Sequence, residues 1–333
     1  MTDVTVGEML NTSFDRMATA FDELLQRVDD LELRVQELEA GATPAPPPEV
    51  PEPTPDPDPV IEIPEPDYPT LRPQIVRDTE NPAELQSGTR LHVRAGLSVG
   101  SLNLSNLNDV ELIVDGRVDS IWMANTERVA VSGSGRVGSI SCSEWTNGRP
   151  GHRNADVSVE DITVDGQGSA FDVQFVRGVF ISNVRTENTT RYCIWMSNCQ
   201  NAAIRDCIFH TTGAEACVRL VTVESVAVLD NQLSSDLKHT FRIHGRTNNV
   251  MFERNESAGP RFSMIGTMPG DELRNIVMRD NEINGATVQL LGVPINEPNK
   301  LQNFTWQRNF VSDDSANYLA SYQGVPTWTI DDD

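Results

Sequence analysis

The chain has 333 residues, with 49 acidic against 26 basic side chains and a net charge of −23. A negative excess of this size excludes duplex nucleic acid and anionic membrane surfaces as partners, because both require a basic face. No apolar run reaches membrane-span length. The acidic start from Met1 to Glu8 lacks the charged-then-apolar pattern of a secretory signal, so synthesis in the cytosol is expected.

From Leu10 to Leu38 apolar residues step by four and three. With Phe14 as heptad position a, the a positions hold Phe14, Phe21, Val28 and Val35, and the d positions hold Leu10, Met17, Leu24, Leu31 and Leu38. This spacing predicts a parallel coiled coil over 9–40, ended by Gly41. Arg27 and Arg34 at g precede Glu32 and Glu39 at the following e positions, so each Arg reaches the Glu of a neighbouring chain and fixes register. Val at a with Leu at d favours a dimer; bulky Phe14 and Phe21, with two copies of Arg–apolar–x–x–apolar–Glu, favour a trimer. Residues 1–8 precede this element as a short anchoring segment.

Residues 41–73 alternate Pro with Glu and Asp. Such a segment extends as polyproline II at about 3.1 Å per residue, so it spans on the order of 100 Å. It is expected to space an oligomerising stalk from a distal head.

A short apolar–x–apolar pattern followed by Asn or Asp recurs through the rest: Val157 and Val159 with Asp161, Val179 and Ile181 with Asn183, Ala202 and Ile204 with Asp206, Val226 and Val228 with Asn231. It continues with Val250, Phe252 and Asn255, Ile276, Met278 and Asn281, and Phe304, Trp306 and Asn309. From Val129 onward the copies are separated by 22 to 28 positions. A period in this range signals stacked repeats. Each copy has a second strand before it, such as Ile194 to Met196 or Val218 to Leu220. Units this short leave no room for a crossover helix, so the prediction is a parallel β-helix head over 74–311 with a small cap over 312–333. The Asn and Asp residues suit its corners, where they bond to backbone and tolerate left-handed φ. The run from Gly133 to Gly138 matches GxGxxG but has no helix after it, so turn glycines explain it better than a nucleotide site. The five cysteines, all inside the repeat and without CxxC spacing, read as buried thiols. The histidines do not cluster with them, so no metal and no cofactor is expected.

Function belongs to the outward residues. In the preceding strands these are Trp122, Asp172, Gln174, Trp195, Arg219, Arg242, His244 and Gln289. Trp195, Arg219 and Arg242 are expected on successive coils about 5 Å apart. An indole beside guanidiniums suits sugar rings and their carboxylates. Insertions near 143–153, 266–272 and 292–300 fall on one side of the unit, and the first holds Trp145, Arg149, His152 and Arg153. Trp145, Arg149, Trp195, Arg219, Arg242 and His244 are therefore the candidate glycan-binding residues. Glycoside hydrolysis needs two carboxylates across a bond, and Asp172 with Glu215 or Glu224 is the candidate set. Asp161, Asp165 and Arg185 form a looser lyase-like group.

The plan of the whole chain is similar to bacteriophage fibre and spike proteins. Stretches such as 157–166 (VSVEDITVDG) resemble the right-handed parallel β-helices of phage tailspikes and pectate lyases. The resemblance implies a homotrimeric virion protein, anchored to other virion proteins through 1–8, that binds and sometimes cleaves host cell-surface polysaccharide. The solenoid is shorter than in depolymerising members, with no large C-terminal trimerising domain and no acidic triad, which points away from catalysis. Three functions follow: attachment fibre, polysaccharide lyase or hydrolase, or structural decoration without a ligand.

Overall fold

The computed structural model describes residues 72–143, 145–146, 149–150, 154–213, 216–263, 271–284, 287–289, 300–312 and 328–331. The predicted anchor, coiled coil with its residues from Phe14 to Glu39, and all of the linker before Arg72 lie outside the described residues. Within them, every apolar–x–apolar copy is a strand paired in parallel with the copies before and after it. Val157 lies on Val179, Ala202 on Val226 and Ile276 on Phe304, so the register never slips. Inward side chains including Val157, Ile181, Ile204, Val228, Phe252, Met278 and Trp306 are at most 1% exposed. Burying each aliphatic one contributes roughly 1.5–3 kcal/mol. Neighbouring coils share that core, so it is continuous along the axis.

The repeat column runs from Arg77 to Asp331 among the described residues. Arg77–Thr79 pairs with Thr89–Val93, which pairs with Asn108–Val114, so the entry segment already belongs to the stack. Trp328–Asp331 lies on Leu301–Gln307, with Trp328 opposite Phe304 and Ile330 opposite Trp306. The segment expected to be a separate cap thus supplies another rung, because Trp328, Thr329 and Ile330 repeat the same alternation. A short 3₁₀ turn, Pro82–Glu84, is capped by Asn81 accepting from Ala83 N at 3.1 Å.

From Glu127 to Gln289 each coil has three strands among the described residues, one more than the sequence pattern suggested. The preceding column contains Phe171–Gln174, Ile194–Ser197, Ala216–Val221 and His239–His244. A third column follows the Asn/Asp corner and contains Thr163–Asp165, Arg185–Glu187, Ile208–Thr211 and Gln232–Ser235. Among the described residues the sole antiparallel pairing is Trp145–Thr146 with Arg149–Pro150.

The corner Asn and Asp residues occupy two adjacent positions. Asp161, Asn183, Asp206, Asp230, Arg254, Asp280 and Arg308 take left-handed φ of 48–57°. The following residues point inward: first Ile162, Val184 and Cys207, then Asn231, Asn255, Asn281 and Asn309. These four amides form a ladder, each Nδ2 donating to the next Oδ1 at 2.7–3.1 Å. Each Nδ2 also donates to a carbonyl of the coil before, such as Val228 O from Asn255 at 2.8 Å. Buried amides are tolerated here because every coil repeats the same partners.

All five cysteines are buried free thiols, and burial pushes Cys199 and Cys207 up to about 12. Gly135 and Gly138 sit where a Cβ would come within 2.2 Å of the Gly116 and Asp119 carbonyl oxygens. The GxGxxG run thus marks close approach of one coil to the next.

Candidate functional site

Strand pairing places Trp122, Ser141, Asp172, Trp195, Arg219 and Arg242 on consecutive rungs of the preceding column. Rungs are about 4.8 Å apart. The expected Trp195–Arg219–Arg242 alignment is present, and Asp172 and Trp122 extend it toward the N-terminal end. Trp122 is 43% exposed, while Asp172, Trp195, Arg219 and Arg242 are half-buried. Tyr192, buried at the turn into this column, organises the middle of the face. Its ring lies 5.8 Å from that of Trp195, and its hydroxyl accepts a hydrogen bond from Arg219 Nη1 at 2.5 Å. The Arg219 and Arg191 guanidiniums lie 5.5 and 5.6 Å from the Tyr192 ring centre. Trp195 Nε1 and Arg219 Nε have no hydrogen-bond partner among the described residues. Two guanidiniums on facing rungs repel one another, so this patch of a strongly acidic chain concentrates positive charge.

Asp172 sits at one end of that patch. Burial holds its carboxyl above the usual range, opposed by a 2.7 Å hydrogen bond from Gln174 Nε2 and by nearby Arg191.

Two residues expected on the open face are buried. Gln174 is 8% and His244 4% exposed. Both lie at the end of their strand, where the chain turns through a left-handed residue, Phe175 or Gly245. Asp271 of the following coil lies against His244: its Oδ1 accepts from Gly245 N at 3.0 Å and its Oδ2 is 3.9 Å from His244 Nδ1. His244 therefore does not contribute to an exposed binding face. Trp145 and Arg149 fall on the two strands of the hairpin. Their side chains, that of Gln289, and the whole of Glu215, His152 and Arg153 lie outside the description.

The carboxylate pair Asp172 and Glu224 is not brought together. Glu224 starts a strand of the repeat column, round the corner and two coils away, and accepts from Gln200 Nε2 at 3.0 Å. The looser group also separates. Asp165 accepts from Asn188 at 2.6 Å and Arg136 at 3.1 Å, so it is held below the usual carboxylate range, while Asp161 accepts from Asn183 at 2.7 Å. Arg185 is absent from both networks. No group of three or more His, Cys, Asp or Glu suited to a metal occurs among the described residues.

Strand order also locates the insertions. Residues 143–153, 264–270 and 290–299 each connect a preceding-column strand to the next repeat-column strand, so all three leave from one corner. Along that corner runs a polar lane that the sequence reading missed: Asn108, Glu127, Ala155, Arg177, Gln200, Glu224, Asn248, Arg274 and Gln302 in unbroken register. Each stands two positions before the first apolar residue of its repeat, a signal present in the sequence. The N-terminal half of the lane opens into a groove of about 610 Å³.

Residues 120–257 match the family model described as right handed beta helix region. No curated protein sequence matches the chain. Among solved structures the chain is similar to a tailspike protein mutant of the E. coli bacteriophage HK620 in complex with a pentasaccharide, at 11% identity and a TM-score of 0.37. The alignment covers 68% of this chain and 57% of that one, so the chain spans little more than half the tailspike's length. The family match, the three parallel strand columns and the shared core together make the head a right-handed parallel β-helix.

Proposed function

We propose that the chain is a virion attachment fibre whose β-helix head binds host cell-surface polysaccharide. Residues 1–8 anchor it to other virion proteins, the heptads of 9–40 join three chains in parallel, and 41–73 hold the heads away from the particle. The observation that carries the binding assignment is the Trp195–Arg219–Arg242 alignment on consecutive coils. An indole stacks on the apolar face of a sugar ring, and guanidiniums bind its hydroxyls and carboxylates through charge-assisted hydrogen bonds. Regular rungs about 4.8 Å apart suit a chain-like ligand lying along the axis. The test is retention of the full chain on a glycan array and on host cells. Trp195→Ala and Arg219→Ala are each expected to reduce retention at least tenfold while leaving the folded state intact by circular dichroism. Unchanged retention in both variants would overturn the assignment.

A second reading, cleavage of the same polysaccharide, draws on Asp172 alone. A half-buried carboxyl with a raised proton affinity beside an aromatic residue has the properties of a general acid. Glycoside hydrolysis also requires a second carboxylate across the bond, and Glu224 does not face Asp172. Incubation of the chain with host polysaccharide decides it: oligosaccharide release that disappears in Asp172→Asn supports cleavage, and intact polysaccharide removes it.

A further inference from the structure

The outer side of the repeat column carries an apolar stripe that the proposed attachment does not use. Val179 and Ile181, Ala202 and Ile204, and Val226 and Val228 are buried in the core, so the residue between each pair points outward. Ladder register stacks Phe180, Ala203, Ala227, Met251 and Val277 on five consecutive coils. This face is distinct from that of Trp195 and Arg219, which belongs to the preceding column. Ala203, Ala227 and Val277 are 0%, 2% and 3% exposed, as inaccessible as core residues although they point away from the core. Among the described elements no strand is laid across this side. An outward methyl group on an uncovered sheet touches water, so the stripe has a cover from elsewhere in the chain or from another chain.

The described chain begins where such a cover would end. Arg72 and Pro73 line a groove on this side together with Ser158, Phe180 and Arg205. The chain then passes Gln74, whose N–H donates to Asp109 Oδ1 at 3.0 Å, and Val76, whose N–H donates to Gly88 O at 2.9 Å, and joins the stack at Arg77–Thr79. Followed backward, it leads from the N-terminal end of the head toward the stripe. The residues before Arg72 suit that path. Over 41–60 the large apolar side chains are two valines, Val50 and Val60, whereas 61–71 hold Ile61, Ile63, Tyr68 and Leu71. A solvated spacer gains nothing from such side chains, while an apolar face stabilises them by burial. Eleven residues in polyproline II extend about 34 Å, and Phe180 to Val277 covers four rung spacings, about 19 Å. Pro64, Pro66 and Pro69 preset the extended conformation, which lowers the entropy cost of docking. The half-exposed Arg205 guanidinium lies 5.4 Å from the Phe180 ring centre, with Asp206 at 3.5 Å, and can donate to the carboxylates of Glu65 or Asp67.

We infer that residues 61–71 dock along the outer side of the repeat column, Tyr68 and Leu71 toward Phe180 and Ile61 and Ile63 toward Met251 and Val277. The segment is then part of the head, and 41–60 alone serve as the free spacer. The inference rests on the geometry of the repeat column and stands whether or not another face binds glycan.

The test reads the mobility of the segment in the full chain. The five native cysteines are buried, so a thiol-reactive nitroxide goes to an introduced surface cysteine. Glu65→Cys in the segment and Asp56→Cys in the spacer are labelled separately and compared by electron paramagnetic resonance. Tumbling at position 65 is expected to be at least about threefold slower than at position 56, on the nanosecond scale. Phe180→Asp places a charge on the stripe, and Ile61→Ser with Ile63→Ser removes apolar groups from the linker without touching the head; circular dichroism verifies that both fold. Each is expected to bring the spectrum at position 65 to that at position 56. Equal mobility at the two positions in the unaltered chain overturns the inference and leaves the stripe to a second copy or another segment. Slow tumbling at position 65 that survives both sets of substitutions overturns it as well.

Discussion

His244 shows how an outward position on a strand becomes a buried liability. Desolvation first, then the charges of Arg242, Arg219 and His239, push its pKa down to about 4. The groups around it are those three and Asp271, 3.9 Å away. A histidine in the unfolded chain titrates near 6.5. Between about 6.5 and 4 the unfolded chain therefore binds a proton that the folded chain refuses. Stability from this residue is complete above the unfolded value and is lost as pH falls toward 4, with a total on the order of 3 kcal/mol. Asp109, lowered by its hydrogen bonds from Arg128, and Asp280, lowered by those from Arg308, act in the same direction below about pH 4, where the unfolded carboxyls take up protons that the paired native ones refuse. Asp172 has the opposite sign: its raised pKa disfavours the folded state as pH rises, and its contribution returns on acidification. Thermal midpoints of the unaltered chain should fall between pH 6.5 and 4.5, and His244→Asn should flatten that slope. A slope unaltered by the substitution would show that His244 is not the acid-sensitive group. The alignment of Trp195, Arg219 and Arg242 was legible in the sequence because constant coil length preserves register. The burial of Gln174 and His244 was not, because alternation tells which way a side chain points and nothing of what the next turn lays over it.

At the scale of the element, the corner separates two roles that the sequence pattern merged. The left-handed position takes Asp, Asn or Arg, and the position after it faces the core. Asn255 at the core position accepts on Oδ1 from Asn231 N at 3.1 Å and Asn231 Nδ2 at 2.9 Å. Asn255→Ala leaves both donors buried and unmet, so a destabilisation of roughly 2–4 kcal/mol is expected, since each orphaned group costs about 1–3 kcal/mol. Arg254, one residue earlier, makes a two-pronged pair with Asp230 at 2.7 and 2.8 Å at the surface, and also contacts the buried Glu253 carboxylate, which keeps its pair with Arg279 at 2.8 Å when Arg254 is removed. Such pairs contribute about 0–1 kcal/mol, and glycine relieves the left-handed backbone by a similar amount. Arg254→Gly is therefore expected to be close to neutral. Denaturant midpoints of the two variants measure the contrast, and equal losses would contradict the ladder's importance. The third column escaped the sequence reading for a related reason. Thr163–Asp165 and Arg185–Glu187 each turn a single side chain inward, Val164 and Thr186. One inward residue in these strands leaves no alternation to detect, and in Ile208–Thr211 and Gln232–Ser235 the second inward residue is the polar Thr211 or Ser235. Trp328–Asp331 was readable from its apolar–x–apolar pattern and from its separation of 24 positions from Phe304, which falls within the repeat spacing.

At the scale of the whole molecule, each coil buries its apolar face against its neighbours, so the head's stability is a sum of coil-to-coil contacts. The exposed large apolar residues of the described head, Val76, Leu97, Trp122, Ile208, Leu237 and Phe310, are scattered. On the proposed reading the head is expected to fold without partner chains, and association falls to the heptads at 9–40. In the proposed fibre, three heads on linkers that each reach on the order of 100 Å would convert weak single-site binding into multivalent attachment. Linked sites raise overall affinity by about 10²–10⁴-fold without any new contact, provided the linkers span the spacing of the ligands. Deleting residues 1–40 should therefore give a folded monomer by analytical ultracentrifugation. Its affinity for a soluble oligosaccharide should equal that of the full chain, while its retention on a polysaccharide-coated surface drops by about 10²–10⁴-fold. A truncated chain that stays trimeric would locate assembly in the head and remove the heptads from that role. A truncated monomer retained as strongly as the full chain would mean that one head is sufficient, and that the extended stalk serves reach and not avidity.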